Sequence, residues 1–415
     1  MALYVELSGL QAAQLDLDTI GNNIANVGTN GFKSSTANFS DLYATSLLGA
    51  NGTNETLGQG VTTSSLAQLF TEGSITQTGN PLDVAIYGNG FFQVQNPGGD
   101  LAYTRDGSLQ LNAEGFLTND TGALVMGYSA QASGGTAAGA LGALQINQAN
   151  LAATATSSLT MDVNLPSTDT PINTTTTPFS VSNPASYNES TTTTVYDSLG
   201  TPDTLTTYFT QVSGSGSPPQ WQTHWQLSNS AGKMVSSGAG GTLSFNSSGA
   251  LTGGSSTISV ANLPDGAAPL SITQNFTGST LSDLSFGVNS VTNNGSGGGQ
   301  FAGLEIGSNG QIVAQYSNGG TQVMGTIALA NFVNPQGLIA VSGNEWVPSA
   351  TSGVAVTGAP GTAGLGGLQS GAIEGSNVDL STQLVNLIVA QQAYQANVQG
   401  INVDQQDVQK LLTIQ

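Results

Sequence analysis

The apolar residues at the two ends of this chain repeat with the spacing of a helix, and this feature limits the possible folds most. Near the amino terminus they lie at Leu3, Leu7, Leu10, Leu17 and Ile24. Near the carboxyl terminus a stricter heptad register runs through Leu384, Leu387, Gln391, Tyr394, Val398, Ile401, Gln405, Val408 and Leu412. A stripe this narrow is typical of a helix that packs on another helix. We therefore predict a helix at each end, and together these helices form a coiled-coil-like inner domain.

Local start and stop signals set the predicted limits of the two helices. Ser376 stands three residues before Asp379, a capping-box-like pattern that predicts the start of the carboxyl-terminal helix. Gly28 suits the position just after the end of the amino-terminal helix. Asn30 and Gly31 then predict a tight turn before Phe32.

Between the two ends, apolar and polar residues alternate in short runs that are separated by turn signals. "LDVAIYGNGFFQV" (82–94) turns through Gly88-Asn89-Gly90, and "YTRDGSLQL" turns at Asp106-Gly107. Two further turns, Asn309-Gly310 and Asn318-Gly319, interrupt the segment 304–325. Runs of this kind predict β-hairpins in antiparallel sheets. The predicted fold class is mainly β with terminal α-helices and nested antiparallel β-domains.

The composition along the chain predicts that these domains are nested. The middle of the 415-residue chain is the part richest in Thr, Ser and Gly, and it is predicted to be a separate β-domain inserted in another one. The predicted parts are an inner helical domain (1–27 and 372–415), an extended linker region (28–72), an inner β-domain (73–146 and 299–371) and an outer inserted β-domain (147–298).

The charge balance argues against several classes of function. The chain has 4 Lys and Arg against 24 Asp and Glu, a net charge of −20, so it lacks the cations that contacts with nucleic acid or anionic lipid require. It has no Cys and one His, so thiol catalysis and the usual Cys or His metal sites are excluded. No segment reaches the ~18 apolar residues of a membrane-spanning helix. We expect that the chain does not insert into a membrane, binds no cofactor or metal, and is not an enzyme.

Three local patterns suggest chemistry, and each also has a structural explanation. Asp16 and Asp18 could form a metal pair, but they point to different faces of a helix, which favours ordinary surface. The segment "GNGFFQ" fails the dinucleotide fingerprint at its sixth position and is predicted to be a hairpin turn. His224 lies between two tryptophans in "WQTHW". A sugar-binding platform is possible there, but a strand whose aromatic residues cover a small core is favoured.

Several long segments of the chain together carry a family resemblance. "SGLQAAQLDLDTIGNNIANVGTNGFKSSTANFSDLY" (8–43) is similar to the amino-terminal signature of the axial proteins of the bacterial flagellum, a family of rod, hook and hook-associated proteins. "GNPLDVAIYGNGFFQV", "YTRDGSLQLNAEGFLTNDTGALVMGY" and "GSNVDLSTQLVNLIVAQQAYQANVQGINVDQQDVQKLL" resemble its later blocks, in the expected order. The middle of the chain, with "TTTVYDSLGTPDTLTTYF", is similar to the hook members. Gln392, where the family often has Arg, and a polar carboxyl-terminal tail depart from the pattern.

The resemblance implies a structural subunit that polymerises helically into a curved, flexible tube, the universal joint that transmits torque from rod to filament. It implies an extracellular place in the flagellar hook, type III export without a cleavable signal peptide, and contacts with distal rod, hook cap and hook–filament junction proteins. A distal rod protein is the alternative within the family, and a secreted β-rich adhesin is the alternative outside it. The expected assembly interface consists of Leu3, Leu7, Leu10, Leu17, Asn22, Asn23, Ile24, Asn26, Leu384, Leu387, Tyr394, Val398, Ile401, Val408 and Leu412.

Overall fold

A computed structural model describes residues 2–43, 58–130, 140–212, 218–264 and 266–413 of the chain, and the side chains of residues 2, 3 and 411–413 are left out. Helix α1 spans Ala2–Ala25 and helix α2 spans Leu380–Thr413. All the extended segments lie between them. The predicted fold class, mainly β with helices at both ends that pack on each other, is confirmed.

The strands divide into two compact units, which are residues 1–148, 304–314 and 322–415, and residues 149–303 and 315–321. The first part of the chain contains β1 (Ser35–Tyr43), β2 (Gly58–Gln68), β3 (Ile75–Gln77), β4 (Val84–Tyr87), β5 (Phe91–Gln95), β6 (Leu101–Thr104), β7 (Leu109–Leu111), β8 (Leu117–Asn119), β9 (Leu124–Ser129) and β10 (Leu141–Ala143). Strands β1 and β2 pair with each other, within the predicted linker region.

The middle part contains ten more strands, which are β11 (Ser158–Pro166), β12 (Glu189–Tyr196), β13 (Pro202–Gln211), β14 (Trp221–Ser228), β15 (Met234–Phe245), β16 (Leu251–Gly253), β17 (Ser255–Val260), β18 (Leu270–Asn275), β19 (Thr280–Ser282) and β20 (Gly287–Asn293). The last part contains β21 (Phe301–Ile306), β22 (Gln311–Tyr316), β23 (Thr321–Ile327), β24 (Leu329–Asn331), β25 (Ile339–Val341), β26 (Glu345–Val347), β27 (Val356–Gly358), β28 (Gly367–Ser370) and β29 (Ala372–Glu374).

Two of the four predicted hairpins are wrong. Strand β4 pairs with β28, whereas β5 pairs with β6, β9 and β24, so the turn at Gly88-Asn89-Gly90 joins strands of different sheets. The turn at Asp106-Gly107 does not form a hairpin either, because β6 pairs with β5 and β26, whereas β7 pairs with β8. Turn chemistry fixes only the local direction of the chain, and the partner strand comes from distant sequence. At Asn309-Gly310 and Asn318-Gly319 the flanking strands are sheet neighbours.

The second unit is built from two five-stranded sheets around one apolar core. One sheet has the order β12-β13-β14-β15-β16 and is antiparallel throughout. In the other, β18 and β19 both run parallel to β11, a departure from the predicted antiparallel pairing. Strands β18 and β19 pair with successive parts of β11. Between them, Ser279 accepts a hydrogen bond from the Val163 N–H at 3.1 Å, so the two act as one interrupted strand.

The "WQTHW" segment lies on strand β14, as the strand interpretation predicted. Trp221 and Trp225 point into the core of the second unit together with Phe209, and all three side chains are buried. His224 points to the opposite face of the sheet, where its ring stacks on Phe179 with centroids 4.0 Å apart. Burial lowers the pKa of His224. The tryptophans therefore belong to the core and are not available as a surface platform.

The core of the second unit should depend strongly on Phe209. Its ring is fully buried and packs edge-on against Phe276, with centroids 5.9 Å apart. Truncation in Phe209→Ala should cost about 3–5 kcal/mol of unfolding free energy. The matched control is Leu199→Ala, at a side chain of the same unit that is 62% exposed. Urea unfolding followed by tryptophan fluorescence measures both, and equal midpoints would refute the assigned core.

Candidate functional site

The two terminal helices pack against each other in an antiparallel pair. The Asn23 side-chain N–H donates to Gln383 Oε1 at 3.4 Å. Farther along, a Cβ added to Gly9 would lie 2.7 Å from Asn397 Oδ1, and one added to Gly400 would lie 2.6 Å from Glu6 Oε1. Residue numbers rise along α1 as they fall by the same amount along α2, which fixes a single register. Glycines at these positions bring the helix axes close together.

The face of α2 that packs on α1, which we call the seam, matches one of the two apolar positions of the predicted heptad but not the other. At the matching position, Leu387, Tyr394 and Ile401 are half-buried. At the other position the buried residues lie one place earlier than predicted, because Ala390 is buried while Gln391 is exposed. The residues at this shifted position are small or polar, namely Gln383, Ala390, Asn397 and Asp404. Hydrophobicity alone therefore could not identify them.

A second apolar stripe of α2 lies outside the seam, and we call it the outward stripe. Its side chains are exposed by 45–60% and are Leu384, Val385, Ile388 and Val389. Three of these, from Val385 onward, were missed by the heptad analysis. The signal was present in the run "LVNLIVA", which places apolar residues on more than one side of a helix. One helix pair buries one stripe and leaves the other exposed.

The predicted assembly residues lie at different depths. Half-buried are Leu10, Leu17, Ile24, Asn26, Leu387, Tyr394, Val398 and Ile401. Exposed are Leu7, Asn22, Leu384 and Val408. Leu3 and Leu412 lie outside the described side chains. Asn23 is buried, so its amide serves the chain that carries it. As an interface between copies, the set stays a prediction.

The asparagines at the end of α1 and just after it make different contacts inside the chain. The Asn23 amide donates to the Ser35 carbonyl at 2.8 Å and accepts from the Ser35 N–H at 2.9 Å, so it binds the first residue of β1 as a strand partner would. The Asn26 side chain donates to the Asn22 carbonyl at 2.9 Å, and that carbonyl also accepts the Asn26 backbone N–H at 3.2 Å, so Asn26 closes the end of the helix twice. The predicted stop at Gly28 is wrong, because α1 already ends at Ala25.

The left-handed residue of this segment is Gly31, at φ +68°. A Cβ on Gly31 would lie 2.6 Å from the backbone nitrogen of Asp106, so a side chain is excluded by space as well as by conformation. The Gly31 N–H donates to the Glu374 carbonyl at 2.8 Å. The chain that leaves α1 therefore passes between the turn at Asp106 and β29, the strand that precedes α2.

A buried ionic cluster lies at this crossing. Lys33 Nζ donates to Glu374 Oε1 at 2.5 Å, and Arg105 Nη1 donates to Glu374 Oε2 at 3.0 Å. The side chains of Lys33 and Glu374 are fully buried, and that of Arg105 is 4% exposed. Two of the four basic residues of the chain thus converge on one carboxylate. We call these three residues the root cluster, because they lie where both helices join the β-strands of the first unit.

Additional hydrogen bonds complete the root cluster. Lys33 also donates to the Thr71 carbonyl at 2.7 Å, and Arg105 donates to the Gly88 carbonyl at 2.8 Å. The guanidinium of Arg105 lies 5.3 Å from the centre of the Phe91 ring. Burial lowers the pKa of Lys33, and the charge and hydrogen bond of Glu374 oppose that shift. The cluster is closed to solvent, as suits a structural joint, although Arg105 Nε has no hydrogen-bond partner among the described residues.

The start of α2 is fixed by two polar side chains. Asp379, and not the predicted Ser376, caps the helix, with its carboxylate accepting from the Ser381 N–H at 2.9 Å. Asp379 is followed directly by the first helical residue, so its carboxylate reaches free N–H groups that Ser376 cannot. Asn377 accepts from the Ser34 N–H at 2.7 Å and donates to the Leu69 carbonyl at 2.7 Å. The entry to α2 is thereby bound to the exit from α1.

The predicted alternatives for small-molecule chemistry gain little from the geometry. Asp16 lines a cavity of about 260 Å³ between the helices and β1, and partial burial raises its pKa, whereas Asp18 is exposed. Across the described ranges, no three His, Asp or Glu side chains are grouped as a metal site requires. Neither helix has, over its described residues, the length and hydrophobicity for crossing a bilayer.

Family profiles match the chain in four consecutive places. "Flagella basal body rod protein" matches residues 3–33, and "Flagellar basal body rod FlgEFG protein C-terminal" matches 369–414. Between them, "Flagellar hook protein FlgE/F/G D1 domain" matches 85–182 and "Flagellar basal body protein FlaE D2 domain" matches 164–296.

Individual relatives match the chain from end to end. It is 38% identical over 420 residues to the flagellar hook protein FlgE of Escherichia coli K12, with 100% of both chains covered. It is 33% identical over 406 residues to FlgE of Brucella abortus, covering 96% of this chain and 95% of that one. The crystal structure of the flagellar hook protein FlgE2 of Helicobacter pylori aligns with a TM-score of 0.55. That alignment, at 13% identity, covers 71% of this chain and 99% of that chain, and indicates a shared fold.

The root cluster makes a sharp prediction about stability. Glu374→Gln would leave two buried cations without their counter-charge, so the first unit should lose about 3–5 kcal/mol of unfolding free energy. Removing one of those cations as well, in Glu374→Gln with Lys33→Met, should restore part of the loss. Calorimetric unfolding measures all variants.

The matched control is Asp407→Asn, which breaks the exposed ion pair with Lys410, whose atoms are 3.5 Å apart. Screened surface pairs contribute little, so this variant should unfold like the unchanged chain. Equal unfolding temperatures for Glu374→Gln and Asp407→Asn would refute the structural role of the root cluster.

Proposed function

Because this chain belongs to the flagellar hook protein family, we propose that it is a structural subunit that polymerises helically into the curved, flexible tube of the hook. The full-length similarity to hook proteins carries the proposal. Within the structure, the outward stripe of α2 supports it. A helix pair that leaves Val385, Ile388 and Val389 exposed needs further partners, and neighbouring copies supply them in a polymer.

We propose that the terminal helices of many copies form the inner layer of this tube. The seam within each copy uses Leu387, Tyr394 and Ile401, and the outward stripe meets the helices of neighbours. Asn22 and Asn26 lie at the end of α1 and are well placed for polar contacts there, whereas Asn23 stays with its own chain. In this proposal the predicted inner helical domain forms this layer, and the predicted linker, inner β-domain and outer β-domain form the rest of the tube.

The scarcity of charge supports a flexible joint. Charged residues make up 7% of the chain, and Lys33 and Arg105 are buried in the root cluster. Contacts between uncharged, Thr- and Asn-rich surfaces can slide without separating ion pairs, whose buried forms are costly to break. The outer layers could therefore shift as the tube rotates, while the helical layer keeps it continuous. This combination is what a universal joint that transmits torque requires.

The wider setting follows from the same assignment. We propose that the subunit is exported through the flagellar type III apparatus without a cleavable signal peptide, and that it assembles outside the cell. The tube would contact distal rod proteins at its base, a cap during growth, and hook–filament junction proteins at its tip. A structural role, and not catalysis, is the proposed activity.

The two alternatives differ in what purified protein should form. A distal rod protein would give straight, rigid tubes, and a β-rich adhesin would stay globular. The relatives that span the whole chain carry the name of hook proteins, which favours the hook. Negative-stain microscopy after salting out tests the assignment directly. Curved tubes are expected, whereas straight rods or dispersed globules would overturn it.

The outward stripe should control polymerisation without controlling the fold. Ile388→Ser removes an exposed apolar side chain of α2, so it should raise the protein concentration needed for tubes. The matched control, Gln395→Ser, changes an exposed polar residue of the same helix and should polymerise normally. Sedimentation measures the polymer, and calorimetry shows whether the β-units are intact. Normal polymerisation of Ile388→Ser would contradict the assignment of this surface.

Helix content should rise when tubes form. Among the described side chains of α2, Ala390 alone is fully buried, so the helix pair is held by little apolar contact in a single copy. We expect the terminal helices to fray in the monomer and to become fully helical among neighbours. Circular dichroism of the same sample before and after polymerisation is the measurement, and identical helix signals would count against this account.

A further inference from the structure

An open, largely apolar cavity lies on the first unit, away from the terminal helices. Its floor is formed by Gln93 on β5 and Tyr103 on β6, which are opposite each other in the sheet. Its rim is the segment 348–357, including Pro348, Ala350 and Val354. The volume is about 520 Å³, enough for a large side chain with part of its backbone.

The floor of this cavity contains an unsatisfied polar group. Gln93 is 3% exposed, and its Oε1 has no hydrogen-bond partner among the described residues. A buried amide oxygen without a partner costs free energy, and nearly all such groups in folded proteins are paired. The cavity therefore suits a ligand with an apolar body and a polar tip that reaches the Gln93 amide.

The rim is as unusual as the floor. Val354 is 85% exposed, and Val333 beside it is 88% exposed. A Cβ added to Gly353 would lie 3.9 Å from Val333, so the two valines flank one turn. Adjacent apolar side chains this exposed, next to an apolar cavity, are typical of a surface that another molecule covers.

We propose that this cavity is a socket for a side chain of a second copy of the chain, and that Tyr87 of the neighbouring copy occupies it. The inference rests on the proposed function, because it assigns one contact between subunits of the tube. Copies related by a screw operation meet through two different patches, one of which must fit the other. A socket therefore requires a protruding group elsewhere on the same chain.

Charge favours a second copy as the occupant. The chain has 24 acidic residues, and apart from the root cluster its basic residues are Lys233 and Lys410. Two copies, each with a net charge of −20, have few cations with which to form ion pairs between them. Contacts that are apolar, or polar and neutral, therefore suit them better, and such contacts match the lining of this cavity.

Tyr87 matches the chemistry of the socket. Its side chain is 67% exposed, so it does not fill the cavity of its own copy. Its ring supplies an apolar body, and its hydroxyl can donate to or accept from an amide, whichever way the Gln93 amide is turned. The backbone next to Tyr87 is held in place, because the Gly88 carbonyl accepts the hydrogen bond from Arg105 and the Gly88 N–H donates to Glu72 at 3.2 Å.

The absence of native cysteine makes the test direct. A single Val354→Cys introduces one thiol at the rim. A maleimide should label this thiol readily in the monomer and only weakly in assembled tubes, and labelling should return when the tubes are dissociated. Tubes in which the thiol stays fully reactive overturn the socket and leave the proposed function intact. A chain that forms no tubes overturns both.

Two further variants test the occupant. Tyr87→Phe should raise the critical concentration for tubes about five-fold, the effect of losing one ordinary hydrogen bond. Gln93→Leu removes the unpaired amide, so the monomer should be as stable as before or more so, while its tubes should weaken equally. Combining the two should weaken the tubes no further than either alone, because both remove one contact.

Tubes assembled from two different variants provide the last test. Chains with Val354→Cys and differently tagged chains with Tyr87→Cys should form mixed disulfides on oxidation of their tubes, and not in dilute monomer. Protection of Val354→Cys without any mixed disulfide would overturn Tyr87 as the occupant. Additive effects of Tyr87→Phe and Gln93→Leu would do the same.

Discussion

The structure depends on the pairing of Lys33 and Arg105 with the buried carboxylate of Glu374. These three residues are distant in sequence, yet they lie in contact within the first unit. Removing Glu374 leaves two cations buried without their counter-charge, which costs far more than the complete cluster contributes. Both cations therefore depend on this one carboxylate. If the cluster forms, the exit of α1 and the entry of α2 are held at a single point, with Asn377 and Gly31 closing the remaining gaps.

The antiparallel register of the helices follows from this common root. Two chains that leave one point side by side, one ending there and one beginning there, must run in opposite directions. Small residues then decide how closely they approach, and Gly9, Ala13, Ala390 and Gly400 keep the seam narrow. A narrow seam uses one face of each helix. The apolar residues on the other face of α2 are thus left for contacts outside the chain, and this links the root cluster to assembly.

Sequence patterns predicted the existence and position of both helices, the mainly β interior and the strand that carries Trp221 and Trp225. They failed where the deciding contact is distant. The seam uses Gln383 and Asn397, which no hydrophobic pattern marks. The turn at Gly88-Asn89-Gly90 had the right chemistry but not the predicted strand pairing. Lys33, Arg105 and Glu374 gave no sign of convergence, although the scarcity of basic residues was visible and a rare charge is a reason to look for a buried partner.

Copies of this chain repel one another at long range through their charge and attract one another only at short range through apolar contacts. The net charge of −20 keeps copies apart in dilute solution at low salt, because two of the four basic residues are buried in the root cluster and the other two, Lys233 and Lys410, offset little of it. The outward stripe of α2 and the rim at Val333 and Val354 act only on contact. A chain with exposed apolar patches but no such charge would associate without order. Here repulsion delays association until many contacts form together, and only correctly placed copies satisfy that condition. Screening by salt lowers the repulsion over about 8–10 Å without weakening apolar contact, so ionic strength shifts the balance toward the polymer.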